Sequence, residues 1–385
     1  MKRVTSSPRE NWQGIAESLG FSFHSIGGAP YWDETAYYQF TLQQIEQDLE
    51  KPTEELHEMC MSLVADAVKD ELLLKRLAIP EGYWQYIADT WKNGSPHLYG
   101  RMDFSYDGRS AAKLLELNYD TPTSLYESAF FQLVWLEQQI AAGQLPHHSD
   151  QFNSIQEKLT LAFQLNNFAQ PFYFSAVGDS EEDQGTIAYF RDIAEGAGLV
   201  TRNINVEDIG LSEQGLFVDL DDEPIKTLFK LYPWEFMFED DFGKAIMSSQ
   251  TCFVEPAWKA ILSNKGVLAL LWEKFPNHPN LLPCFMDQDP TSKLPSGWVR
   301  KPFLSREGAN VEICTHDAQR IEEDGPYINS PFVRQAFCPL PCFEKNYTLV
   351  GSWVVGDLAA GIGIREDDTL ITKDTSRFLP HIILD

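Results

Sequence analysis

Apolar and polar positions change period several times along this chain, and each change marks an expected element. From residue 33 to 92 the period is helical. In "DETAYYQFTLQQIEQDLEK", Tyr37, Phe40, Ile45 and Leu49 recur at three-to-five-residue spacing, and Asp33 stands where an N-cap belongs. A second helix is expected to open at Pro52-Thr53, with Glu54 and Glu55 in its first turn. Residues 98 to 118 alternate around "YDG" and read as a hairpin, and residues 124 to 142 return to helix. Residues 171 to 245 read as a small α/β unit. "PFYFSAVG" is a strand, "DQGTIAYFRDIAEGAG" a helix closing at Gly196–Gly198, and "LVTRNINV" and "PIKTLFKLYP" are further strands. "VLALLWEKF" predicts a short buried helix. The tail is strand-rich, in "GWVRKPF", "ANVEIC", "YTLVGSWVVGDLAAGIGI" and "TLITK". With neither repeats nor low-complexity linkers, the parts are expected to interleave, divided at 1–165, 166–250 and 251–385.

Composition adds exclusions. The 385 residues are 43% apolar and 13% aromatic, ample for a packed core, and no run of about 18 apolar residues suggests a membrane span. No apolar run follows the basic start, so a secretory signal is not expected. The six cysteines form no CxxC pair and read as reduced thiols of a cytoplasmic protein, with a local Cys338–Cys342 bridge as the other option. A formal net charge of −27 repels nucleic acid and anionic lipid and draws cations; it serves either solubility or an amine substrate.

The candidate chemistry begins at "LLELNYDTPTSLYE". Glu116 and Asn118 stand two apart, so on a strand they share a face, with Asp103 on the strand opposite. Two carboxylates and an amide suit Mg²⁺; a solvated hairpin end is the alternative. Lys301 in the apolar "WVRKPF" needs an anion, either a phosphate or a neighbouring carboxylate, and Lys265 in "AILSNKG" is its companion. Arg306, Glu307 and Gly308 in "SREGANV" read as a plain turn or as a lid over phosphates, and Arg365 in the glycine-broken "GIGIRED" as a second phosphate-facing arginine. GxSxG and HExxH are absent, and His147-His148 sits in a polar loop, so no protein nucleophile is expected.

In order, the segments "YWDE", "GRMDF", "ELNYDTPTSLYE", "EEDQGT", "LYPWE", "FVEPAWKAILSNKGVLALLWEKFPNH", "VRKPFLSREGANV" and "GDLAAGIGIRED" resemble the synthetase module of the glutathionylspermidine synthase family, among the ATP-grasp carboxylate–amine ligases. The resemblance runs from about residue 12 to the C-terminus and leaves out the amidase module fused in some members. It implies an α+β fold of ATP-grasp type, with antiparallel sheets, helices and a small α/β substrate subdomain. It also implies ATP and Mg²⁺ as cofactors, and a small or short-peptide carboxylate and an amine as substrates. By resemblance, Asp103, Glu116 and Asn118 hold Mg²⁺. Arg101 meets nucleotide phosphate and the substrate carboxylate, Lys265, Lys301 and Arg365 meet phosphates, and Arg306, Glu307 and Gly308 form the lid. Gln335, Ala336 and Phe337, with a strand at Leu370 and Ile371, flank adenine. Thr121, Thr123, Glu182 and Asp183 meet the peptide substrate. The pattern departs from the family at Thr121 and Thr123, where serines stand, at Asp183, where a glutamate stands, and at Leu231, where a threonine stands. The substrate pocket has therefore drifted further than the nucleotide site. A non-catalytic nucleotide- or peptide-binding protein on the same scaffold is the competing reading.

Overall fold

A computed structural model describes residues 1–288, 297–373 and 376–385. Among these residues the centre is a six-stranded antiparallel sheet. Its main order is Arg377–Leu379, Leu358–Asp367, Asn346–Val355, Tyr99–Ser105 and Lys113–Asn118, and the short strand Cys342–Phe343 pairs with Asn346–Val355. The two long strands are buried over most of their length, because both faces of the sheet are covered. The helix Lys51–Ala67 lies against one face and the helix Ile155–Leu165 against the other. Each face therefore feeds its own core. Val350, Val354, Ile362 and Ile364 join one, while Trp353, Val355 and Ala360 join the other. This two-sided burial explains a near-continuous apolar run where a half-exposed strand would alternate.

Two smaller sheets flank the centre. Four parallel strands, ordered Cys252–Val254, Thr227–Lys230, Phe172–Ala176 and Thr201–Asn205, carry the helix Glu181–Gly196, and form the α/β unit. Five antiparallel strands, ordered Cys284–Met286, Phe332–Ala336, Trp298–Pro302, Glu312–Cys314 and Arg320–Glu322, form the second. The expected hairpin at 98–118, the helices at 124–142 and 267–274, and the strands at 172, 201 and 227 are all present.

Four local expectations fail, for identifiable reasons. Asp33 caps no helix; its Oδ1 accepts the Thr35 N–H at 2.8 Å, and residues Ala36–Phe40 are a strand. Ala36, Tyr38 and Phe40 alternate inward, and the strand is held by Lys2–Thr5 on one side and the distant His381–Ile383 on the other. Period two and long-range pairing beat the helical spacing read across residues 37 to 49. Pro52 opens no new helix either. A π-helical stretch, Gln44–Glu50, runs straight into Lys51–Ala67, and the missing Pro52 N–H falls at that change of winding. "TLITK" forms no strand, so Leu370 and Ile371 lie in a bend: Asp367 Oδ1 accepts the Thr369 N–H at 2.9 Å, and Thr369 Oγ1 bonds Ile371 O at 2.9 Å. Finally, Gly361 and Gly363 do not break their strand. A Cβ at Gly361 would meet Phe152 O at 2.9 Å, so glycine there admits a neighbouring backbone. All six cysteines are free thiols, and His147 and His148 are exposed as expected. No helix among the described residues is long and apolar enough to cross a membrane.

The load on the helix Lys51–Ala67 gives a stability test. Leu56 is fully buried in it, whereas Leu72 is 69% exposed. Leu56→Ala should cost about 2–5 kcal/mol in chemical denaturation. Leu72→Ala should stay within about 0.5 kcal/mol.

Candidate active site

The hairpin places its chemistry by register. Asp103 pairs with Glu116 and Arg101 with Asn118, and a bulge follows immediately between Asp103 and Phe104. Asp103 is fully buried and binds two guanidinium groups: Arg101 through Nε–Oδ1 at 2.7 Å and Nη2–Oδ2 at 3.0 Å, and Arg365 through Nη2–Oδ2 at 2.7 Å. Arg101 and Arg365 come from strands on either side of Asn346–Val355, and the intervening Gly351 leaves the room, since a Cβ there would meet Arg101 Cδ at 2.9 Å. Asn118 Nδ2 donates to Asp103 Oδ2 at 3.4 Å and to Glu116 Oε1 at 3.3 Å.

A cavity of about 440 Å³ opens over this floor. Every site residue expected from the sequence lines it except Asp103, which lies just beneath. Lys265 Nζ donates to Ser305 O at 2.6 Å and sits 3.5 Å from Glu116 Oε2. Lys301 Nζ donates to Leu115 O at 2.9 Å and to Gln335 Oε1 at 3.0 Å. Neither of these acceptors is an anion, and burial lowers the Lys301 pKa against the pull of Glu116. Burial pushes Glu116 up, but Lys265, Lys301 and Arg365 together outweigh it and hold the carboxyl below its ordinary range.

The cavity divides by character. At one end Val299, Val311, Ile313, Phe337, Leu370 and Ile371 make an apolar slot, with Ala336 and Gln335 along the same strand. The Arg306–Val311 loop closes one side of it. Gly308 has φ +74, and a Cβ there would sit 3.0 Å from Thr372 O, so both conformation and space call for glycine. Arg306 donates to Thr121 Oγ1 at 3.2 Å and to Glu235 Oε1 at 2.8 Å. At the other end Thr121, Thr123, Glu182, Asp183 and Glu235 form a polar, acidic wall. Glu182 and Asp183 occupy the first turn of Glu181–Gly196, where the helix dipole favours acids, and Ser180 Oγ caps it from Asp183 N at 3.3 Å. Burial, then the neighbouring Asp183, pushes Glu182 up to about 7.

The polar run that follows the hairpin thus splits by task. Glu116, Asn118, Thr121 and Thr123 face the cavity, while Asp120 turns inward, pairing with Lys230 and accepting the Trp234 N–H at 2.8 Å. Ser124 takes φ 68, and it and the Thr123 carbonyl hold Arg101 Nη1 at 3.2 and 2.7 Å. Sequence reasoning missed Tyr31 and Glu235, which line the cavity, and the inward use of Asp120. The first two stand in "YWDE" and "LYPWE", but no spacing there singled them out; a lone lysine in the apolar "TLFKLYP" was the available sign of a buried partner for Asp120.

The donor set fits an oxygen-loving cation. Glu116 and Asn118 present a carboxylate and an amide at the cavity surface, and Asp103 supplies a second carboxylate behind them. Turning the Asn118 amide over would present its oxygen in place of its NH₂.

A family model described as glutathionylspermidine synthase preATP-grasp matches residues 3–384. A Haemophilus influenzae protein, provisionally named an acid–amine ligase, is 42% identical over 396 residues and covers 99% of each chain. The Escherichia coli bifunctional glutathionylspermidine synthetase/amidase is 25% identical over 379 residues, 91% of this chain and 60% of that one, so the chain spans less than two thirds of it. Among solved structures, a glutathione synthetase-like effector of Globodera pallida in its apo form shares the fold, with a TM-score of 0.55 and 11% identity over 90% of this chain and 89% of the other. The fold is α+β of ATP-grasp type, and the chain is an enzyme of the acid–amine ligase class. The chain belongs to the glutathionylspermidine synthase preATP-grasp family.

The Asp120–Lys230 pair, both groups nearly fully buried, carries a test. Asp120→Asn would leave the Lys230 ammonium without its counter-charge. It should cost about 3–5 kcal/mol in urea unfolding. Lys230→Met in the same background should recover much of that loss.

Proposed function

We propose that the protein is an ATP- and Mg²⁺-dependent ligase that activates a carboxylate as an acyl-phosphate and passes the acyl group to an amine. The acid is a short thiol peptide of glutathione type and the amine a polyamine. The observation that carries this reading is the polarity of the large cavity among the described residues. Lys265, Lys301, Arg101 and Arg365 gather over the Glu116–Asn118 edge beside an apolar slot, and Glu182, Asp183 and Glu235 line the opposite wall. The slot suits a flat purine ring, and the lysines and arginines suit phosphate oxygens. The acidic wall suits a cationic amine. The E. coli relative named for glutathionylspermidine supports the peptide and polyamine assignment.

Each residue then has a physical task. Lys265 and Lys301 neutralise the phosphates, and Lys301 exchanges two neutral acceptors for an anion. Arg101, fixed by Asp103 and Thr123, aims its guanidinium at the substrate carboxylate. Glu116 and Asn118 would hold Mg²⁺, joined by Asp103 only if one of its guanidinium partners let go; the ion when bound offsets the phosphate charge and polarises the phosphoryl oxygens. Arg306, on the glycine-hinged loop, closes over the transferring group. Thr121 and Thr123 orient the peptide. No protein nucleophile is needed, because the phosphoryl group itself activates the acid.

The test is an ADP-release screen with Mg²⁺, crossing thiol peptides and other carboxylates with polyamines and amino acids. Turnover should require both an acid and an amine. Glu116→Ala should lower it on the order of 100-fold while the apo melting temperature barely moves. Undiminished ADP release in folded Glu116→Ala would remove the metal assignment. Lys301→Met should weaken binding of an ATP analogue by about 10- to 100-fold, the worth of one charged hydrogen bond. It should leave the apo protein as stable or more so, because burial already disfavours that ammonium. Normal analogue binding by the mutant would show that Lys301 serves the fold alone.

A further inference from the structure

Behind the acidic wall lies a carboxyl to which no role above falls. Glu127, in the helical stretch Glu127–Phe131 that follows the Thr121–Ser124 run, is 1% exposed, and neither carboxylate oxygen has a hydrogen-bond partner. It does not line the cavity. Tyr31 connects it to Glu182, which does: the Tyr31 hydroxyl donates to Glu182 Oε1 at 3.3 Å. The same hydroxyl lies close enough to Glu127 for the two groups to perturb each other, although its hydrogen bond goes to Glu182. One proton donor thus stands between a buried carboxyl and a half-buried one, and only the half-buried one reaches the substrate space. A buried, unpartnered carboxyl beside another acid is costly to keep for the fold alone.

The charged and titratable surroundings are Asp183 and Glu307 beside Glu182, Arg101 and Tyr126 beside Glu127, and Arg365 beside Tyr31. Burial, then Glu182, pushes Glu127 up to about 8, so near neutral pH the two carboxyls hold about one proton between them.

We propose that Glu182 is the base for the attacking amine and that Glu127, acting across Tyr31, is the positioning residue that sets how strongly Glu182 holds the proton it takes. This rests on the ligase reading above. In the amide-forming step the amine lone pair makes the C–N bond, and the C–O bond to phosphate breaks with its electrons leaving on phosphate. The nitrogen proton goes to Glu182, which returns it to the departing phosphate or to water. At rest the proton of the pair resides on the more deeply buried Glu127, leaving Glu182 ionised to act. As pH rises Glu127 ionises, and its charge strengthens Glu182 as a base.

The two partners act on Glu182 in opposite directions. A like charge raises a carboxyl pKa, while a hydrogen bond to the ionised form lowers it. In E127Q, which keeps the shape but can gain no charge, the ascending limb of kcat/KM for the amine should stay where Glu182 ionises, but the further rise that wild type shows as Glu127 ionises near pH 8 should be lost, with turnover at pH 9 reduced. In Y31F the limb should move to higher pH by about 0.5. ATP-analogue binding should be unchanged in both. A structural role alone would change neither profile, and a Y31F limb that coincides with wild type, or an upper rise that persists in E127Q, would overturn the proposal.

A second measurement does not depend on turnover. Carbon-13 NMR of the glutamate side-chain carboxyls should show a titration near neutral pH in the wild type whose upper step is lost in E127Q. If no acid and amine pair supports ADP release, the ligase reading fails while this titration still decides the pairing. Ordinary titration of every glutamate would sink the pairing while leaving ligase activity untouched.

Discussion

The site hangs on one buried carboxylate. Asp103 stands at the centre of a sheet covered on both faces and answers two guanidinium groups from strands on either side of its neighbour. Its burial is tolerable because both oxygens are occupied by charged donors. In return it fixes Arg101 and Arg365 in position, and the hairpin register then sets Glu116 and Asn118 at the cavity edge. A one-residue slip would turn that pair to the opposite face. The glycine at 351 is the steric condition for the arrangement, since a side chain there would fill the space Arg101 uses.

Around this centre, buried ion pairs tie the α/β unit to the hairpin. Asp120, just beyond the hairpin, reaches Lys230 and the start of the helix Trp234–Glu239. Glu255 pairs with Lys259 and accepts the Leu98 N–H at 3.0 Å, and Lys259 Nζ in turn bonds Tyr99 O at 2.5 Å. Both pairs lie beside the strand Tyr99–Ser105 or its hairpin partner, so the acidic wall is registered to the basic floor by charge pairing as well as by packing. Such pairs add little net stability but penalise any arrangement that separates the partners.

Charge is sorted within the molecule. The chain carries −27 overall, yet the floor of its one described large cavity is basic. On the proposed reading an anionic nucleotide would be repelled at long range and held at short range, where Arg101, Lys265, Lys301 and Arg365 and a low-dielectric wall dominate. The proposed polyamine would meet the reverse order: attraction from the whole surface, then an acidic wall at the end of the cavity.

Much of this was legible in the chain. Alternation gave the hairpin, and the i, i+2 spacing of Glu116 and Asn118 put them on one face with Asp103 opposite, because strand geometry has a fixed period. A lysine in the apolar "WVRKPF" announced a buried cation in need of an anion, and glycine in "SREGANV" announced a turn or lid loop, where the structure has Gly308 at positive φ. The strand Ala36–Phe40 was not legible, because its partners are residues 2–5 and 381–383, and local spacing there imitates a helix. The bend at Leu370 and Ile371 was hidden for a related reason: side-chain bonds from Asp367 and Thr369 outweigh a β-rich composition. Tyr31 opens "YWDE" and Glu127 closes "ELNYDTPTSLYE", but they lie 96 residues apart by number and no local spacing brings them together. Sequence determined which side chains could do chemistry and which backbone periods would carry them. Only the tertiary structure decided which carboxylates would stand in the cavity, which would be spent on buried lysines, and which would be left without a partner, because burial and distance between remote segments are properties of the packed chain.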